Sequence, residues 1–81
     1  MAPVIYRWRG YRFLFYSAEE SRAHIHVVKA GTEIKVWLEP EIEVAYNFNV
    51  PGKDVKRILR IIRRYHHVFL EAWETIHGRG G

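Results

Sequence analysis

Two imidazoles lie one residue apart in His24-Ile25-His26. On a strand, residues i and i+2 share a face with their Cα atoms about 6–7 Å apart, so both rings could meet one phosphate or one ion. An imidazole titrating near neutrality is a natural general acid or base for RNA cleavage. The ribose 2′-OH supplies the nucleophile there, and no cofactor is needed. In that reading His24 and His26 are the catalytic pair, Glu39 orients one of them, and Lys35, Arg12 or Arg22 holds the phosphate. A metal-binding module is the other chemistry open to the pair, but a third ligand at defined spacing is missing. Val28 stands where a third alternate histidine would fall, and no glutamate follows at the distance that cupins use. The plainest reading makes both histidines half-exposed sheet residues, so no metal and no cofactor is assigned.

A second constellation is electrostatic. Lys53, Lys56, Arg57, Arg60, Arg63 and Arg64 stand against Asp54 alone. At helical spacing, Lys53-Arg57, Lys56-Arg60 and Arg60-Arg64 are like-charge i,i+4 pairs, each costing a few tenths of a kcal/mol. A face built only for solubility would alternate signs. This one suits the phosphates of DNA or RNA, or an acidic partner, over about three helical turns before Glu71 and Glu74 close it. His67 extends the face, and His66 sits at the edge of the apolar stripe, where a histidine usually serves the core.

The elements that must position these residues follow from periodicity. Val4, Tyr6 and Trp8 share one strand face, continued after a turn at Arg9-Gly10 by Tyr11, Phe13 and Phe15. That aromatic face resembles a base-stacking platform, but a helix needs it as core. Arg7, Arg12, Leu14 and Tyr16 fall on the other face, and Ser17 to Ala23 reads as a loop. His24 to Lys29 and Glu33 to Glu39 form a second hairpin about Gly31-Thr32, with Ile25 and Val27 on the face of Ile34, Val36 and Leu38. That register sets His26 opposite Trp37 and His24 opposite Glu39, with both histidines pointing away from the core. Ile42 to Phe48 suits either a short strand or, through Asn47 and Asn49, a turn.

From Pro51 the period becomes helical, with Asp54 in the first turn and Gly78 past the end. Val55, Ile58, Leu59, Ile62, Tyr65, Phe69, Trp73 and Ile76 form one stripe opposite the bases. The expected fold is α+β: an antiparallel sheet of four or five strands over residues 3–48, one long C-terminal helix over 51–77, and a frayed tail at 78–81. Such a helix is about 40 Å long and a six-residue strand about 20 Å. Its far end therefore overhangs, and Phe69 and Trp73, with Ile61, Val68 and Ala72 as a second stripe, are expected to bind a partner subunit unless the chain bends.

At 81 residues the chain makes a single domain, 1–81, with one modest core. Its hydrophobic content of 48% is too rich for a disordered tail, and no apolar run is long enough for a bilayer. The absence of cysteine excludes disulfides, thiolate zinc sites and cysteine catalysis. Arginines interrupt the apolar stretch of the first twelve residues, which does not fit a signal peptide, and a cytoplasmic location is expected. The net charge of +4 divides into +3 over residues 1–17, −3 over 18–50 and +3 over 51–77, with Arg79 beyond.

Arg9-Gly10-Tyr11-Arg12-Phe13-Leu14-Phe15-Tyr16-Ser17, His24-Ile25-His26-Val27, Lys35-Val36-Trp37-Leu38-Glu39-Pro40 and Leu70-Glu71-Ala72-Trp73 follow one another along the chain. In order and spacing these blocks resemble the small prokaryotic family called domain of unknown function 4160, over nearly the whole length. The resemblance implies a part in toxin–antitoxin-like modules, encoded beside a second small protein of the domain of unknown function 2442 type, with no settled catalytic mechanism. Helices of the family intermix more glutamate, whereas Lys53 to Tyr65 holds none. The expected function is a non-enzymatic module component that binds the neighbouring small protein as a homo- or hetero-oligomer, and nucleic acid through the basic helix face. The alternatives are a metal-independent endoribonuclease toxin using His24 and His26, and a metal-binding module.

Overall fold

The computed structural model describes residues 3–16 and 21–78. Most of the expected loop at 17–23 and the tail beyond Gly78 lie outside the described residues. Five strands, β1 (Val4–Trp8), β2 (Tyr11–Leu14), β3 (His24–Lys29), β4 (Thr32–Trp37) and β5 (Glu43–Phe48), form one antiparallel meander in sequence order. Two helices follow, α1 (Gly52–Arg64) and α2 (His66–His77). The class is α+β, but the single long helix is corrected to two.

The first hairpin turns where expected. Arg9 and Gly10 both have positive φ, 49° and 84°, the backbone of a primed two-residue turn that matches strand twist. Tyr6 pairs with Phe13 and Trp8 with Tyr11, but an irregularity before Tyr6 sets Val4 opposite Leu14 and removes it from the aromatic face. The second hairpin turns at Ala30-Gly31 instead of Gly31-Thr32, because Gly31 supplies the positive φ of 77° and Lys29 pairs with Thr32. The register moves by two residues, so His24 faces Trp37 and His26 faces Lys35. A two-residue shift preserves faces. Ile25, Val27, Ile34, Val36 and Leu38 are all fully buried on the expected side.

The segment that suited strand or turn is both in succession. β5 ends at Phe48, and Asn47 then bridges the turn, its side chain accepting from the Val50 N–H at 2.9 Å and donating to the Val50 carbonyl at 3.1 Å. α1 lays Ile58 and Ile62 on the sheet, both fully buried, with Ile61 nearly so. Tyr11, 2% exposed, donates its hydroxyl to Asp54 Oδ2 at 2.7 Å and ties β2 to the first turn of α1. Burial, that hydrogen bond and the adjacent negative charge push the Tyr11 phenol from 10.0 up to about 12.

The helical segment bends at Tyr65 (φ −107°, ψ 23°), which still donates its N–H to the Ile61 carbonyl at 3.0 Å. The bend lets α2 close over the end of the sheet. His66 Nε2–H donates to the Leu38 carbonyl just past β4 at 2.6 Å, and His77 Nε2–H donates to the Tyr16 carbonyl past β2 at 3.2 Å. Between these anchors Phe69 and Trp73 are 2% and 1% exposed, with Trp73 edge-on to Phe15 at 5.4 Å between centroids. Phe69, Trp73 and Ile61, expected to meet a partner, are thus covered by the chain's own sheet. Ala72 is half-buried against the same core, and of that group Val68 alone stays exposed, at 49%.

Two outcomes follow. Trp73→Ala is expected to cost the isolated chain about 3–5 kcal/mol in denaturant unfolding, as core aromatics do; a docking residue would leave that stability nearly unchanged. Tyr11→Phe is expected to cost about 1.5 kcal/mol at neutral pH. The folded phenol holds its proton more tightly than the unfolded one, so this stabilisation is complete below pH 10 and is lost as pH rises toward about 12. The variant should lack that part of the alkaline loss, as thermal melts across that range would record.

Candidate nucleic-acid interface

Lys53, Lys56, Arg57, Arg60, Arg63 and Arg64 are all exposed on α1. The helix tolerates this crowding because its opposite side is committed to the core. Burying a side chain such as Ile58 or Ile62 contributes about 1.5–3 kcal/mol, against a few tenths for each like-charge pair. Arg63 and Arg64 also sit in the last turn, where the helix dipole favours positive charge. The single acid of the stretch, Asp54, is turned inward onto Tyr11, so it does not interrupt the exposed row. At helical spacing the six side chains lie along one side of α1, where they can follow a run of phosphates without reading sequence. His67 is exposed beyond it, 3.9 Å from Glu71, and the positive row ends there.

The histidine pair has a different setting from the one expected. His24 is 0% and His26 4% exposed, although both project from the face of β3 opposite the main core. His24 Nδ1–H donates to the Arg22 carbonyl at 2.7 Å, and its ring lies 5.4 Å from Trp37 and 4.9 Å from Trp73, the residue that the helix bend delivers. His26 lies under Tyr16, 4.1 Å between centroids, and edge-on to His24 at 5.1 Å. The bend of α2 and the cover of Tyr16 are what sequence periodicity did not register.

The acid that meets the pair is Glu33. His26 Nδ1–H donates to Glu33 Oε2 at 2.9 Å, and the Tyr46 hydroxyl donates to the same oxygen at 2.6 Å. Burial would raise the Glu33 carboxyl, but hydrogen bonds from Tyr46, His26 and Tyr16, with the charge of His26, outweigh it and hold the group below its ordinary 4.5. Glu39, expected to orient a histidine, instead accepts the Ala23 N–H at 3.2 Å, while its own carbonyl takes Arg22 Nε–H at 2.8 Å. Arg22 and Lys35, expected to hold phosphate, lie over the Trp37 ring at 4.0 and 4.4 Å. Arg12 is exposed on β2, opposite Val28. Among the described residues no three histidine or acidic side chains gather as ligands for one ion. Glu33 and Tyr46 were missed because their approach to His26 depends on the hairpin register and on β5 being a strand; the signal available was the turn glycine Gly31.

A five-stranded meander closed on one face and one end by a bent, basic helical segment defines a small α+β protein. The chain belongs to the family described as Domain of unknown function (DUF4160), which matches residues 10–74. No curated protein and no solved structure matches it. Among the described residues no helix is long and apolar enough to cross a membrane.

The Glu33 cluster yields an expected pH response. Its folded carboxyl holds a proton less tightly than the unfolded one, so the stabilisation is present above about pH 4.5 and lost as pH falls below it. Glu33→Gln cannot titrate, and the difference in melting temperature between wild type and variant should hold from neutral pH down to about 4.5 and shrink as the pH falls further. A constant difference would show that the carboxylate is not held by this network.

Proposed function

We propose that this chain is a non-enzymatic, nucleic-acid-binding component of a toxin–antitoxin-like module, contacting phosphates through α1. The observation that carries the reading is the unbroken row of six exposed bases whose single acid is turned into the fold. The module assignment rests on the family resemblance. The neighbouring small protein would meet β5, the edge strand opposite β1 in the sheet order, where Val44, Tyr46 and Phe48 are 37%, 45% and 62% exposed. An extended segment added there would pair with backbone groups and cover those side chains. Burial of both imidazoles speaks against the ribonuclease reading, since a general base must reach the proton it takes.

Each phosphate contact contributes about 0.9 to the fall of log affinity with log salt on duplex DNA. With some of the six bases pointing sideways, the slope is expected to be roughly 3–5. Replacing Lys56, Arg60 and Arg64 by glutamine should weaken binding alike for all sequences, because phosphate contacts position without specifying, and should leave folding intact. Fluorescence anisotropy against salt measures both. A wild type with no affinity for DNA or RNA at low salt would remove the nucleic-acid role and leave an acidic protein as the partner of this face.

A further inference from the structure

Between α1 and β1 lies a groove of about 330 Å³ lined by Tyr6, Trp8, Arg57, Arg60, Ile61, Arg64 and Tyr65. Its composition differs from the rest of the basic face, because here the arginines stand beside aromatic rings. The rings are held from behind. Trp8 stacks on buried Tyr11 at 5.6 Å and 10°, and Tyr11 is itself fixed by its bond to Asp54. Tyr6 packs against Tyr65 at 5.3 Å and edge-on to Phe13 at 5.3 Å. A flat ligand would therefore meet a surface that loses little freedom on binding.

No acid lines this groove, and no ion pair among the described residues holds Arg57, Arg60 or Arg64. Arg57 and Arg9 stand 5.7 and 5.9 Å from the Trp8 ring, and Arg64 stands 5.7 Å from Tyr65. These distances lie near the 6 Å limit of cation–π attraction, so the contacts are weak and leave the guanidiniums able to turn toward an anion. Arginine clusters choose phosphate by charge and by their planar donor forks. Aromatic faces choose an unstacked base, which a duplex does not present. The volume lies at the small end of ligand sites, about the scale of a single nucleotide.

We infer that this groove binds one unpaired nucleotide of a single-stranded nucleic acid, its base against Trp8 and Tyr65 and its phosphate among Arg57, Arg60 and Arg64. The inference rests on the nucleic-acid reading of α1 and sharpens it: the groove adds a preference for single strands to a face that by charge alone would bind any polyanion. The same chemistry would admit a free mononucleotide, and either sugar.

The test uses the whole chain with five probes: an oligo-dA single strand, an oligo-rA single strand, a mixed-sequence DNA duplex, adenosine monophosphate and inorganic phosphate. Single strands should bind more tightly than the duplex at equal salt, and the ratio of single-strand to duplex affinity should fall about tenfold in Trp8→Leu, the loss of one base–aromatic stack. Because Trp8 supports Tyr11, the indole N–H resonance of Trp8 in the wild type supplies a second measurement, expected to shift on adding either single strand and not on adding inorganic phosphate. Arg57→Gln with Arg64→Gln, both exposed, should abolish that shift without unfolding the chain. A shift with adenosine monophosphate at comparable affinity would make the ligand a free nucleotide and overturn the polymer assignment; a difference between oligo-dA and oligo-rA would assign the sugar. Equal affinity for duplex and single strand with an unmoved Trp8 signal would overturn the groove site while the basic-face reading stands. Absence of binding to every probe would overturn both.

Discussion

A sheet of short strands offers an apolar face about 20 Å long, and the helical segment available to cover it is about twice that length. A straight helix would leave its second half, with Phe69 and Trp73, in water. The chain resolves the mismatch by bending at Tyr65, so that α1 covers the face and α2 closes the end, with both ends of α2 tied through His66 and His77 to carbonyls just past β4 and β2. Trp73 then fills the space beside Phe15 and His24. Except at Ile76 the apolar stripe is satisfied from within, and the exposed apolar side chains of the sheet lie on the edge strand β5.

The same bend decides the state of the histidines. His24 and His26 leave β3 on the open side of the sheet, yet Trp73 and Trp37 enclose one, and Tyr16 and the Glu33 carboxylate enclose the other. The Glu33, His26 and Tyr46 contacts join the three central-to-edge strands on that side. Of the two imidazoles, His26 takes part in the contacts that link β3, β4 and β5, whereas His24 is held by the Arg22 carbonyl.

Commitment of one side of α1 to the sheet also explains why its other side can carry so much charge. Burial of isoleucines outweighs the mutual repulsion of the bases, and Asp54 is drawn to Tyr11 instead of neutralising its neighbours. Where the row passes β1, it gains the rings of Tyr6, Trp8 and Tyr65, and a uniform electrostatic surface becomes a shaped one.

Periodicity alone determined the two hairpins, the aromatic core face, the helical region and its basic side, because burial and exposure follow the periods of 2 and 3.6 directly. It placed the turn at Arg9-Gly10 and the helix stop at Gly78, where a positive φ favours particular residues. It did not determine the hairpin register, since Ala30-Gly31 and Gly31-Thr32 satisfy the same alternation, and so it set His24 opposite Glu39 and did not show that His26 meets Glu33. Nor did it show the bend, because Arg64-Tyr65-His66 contains no proline or glycine and the break arises from packing against strand ends distant in sequence. The groove of Trp8 and Tyr65 was equally hidden: each residue belongs to an apolar pattern on its own element, and only the meeting of β1 with α1 leaves their edges open beside three arginines.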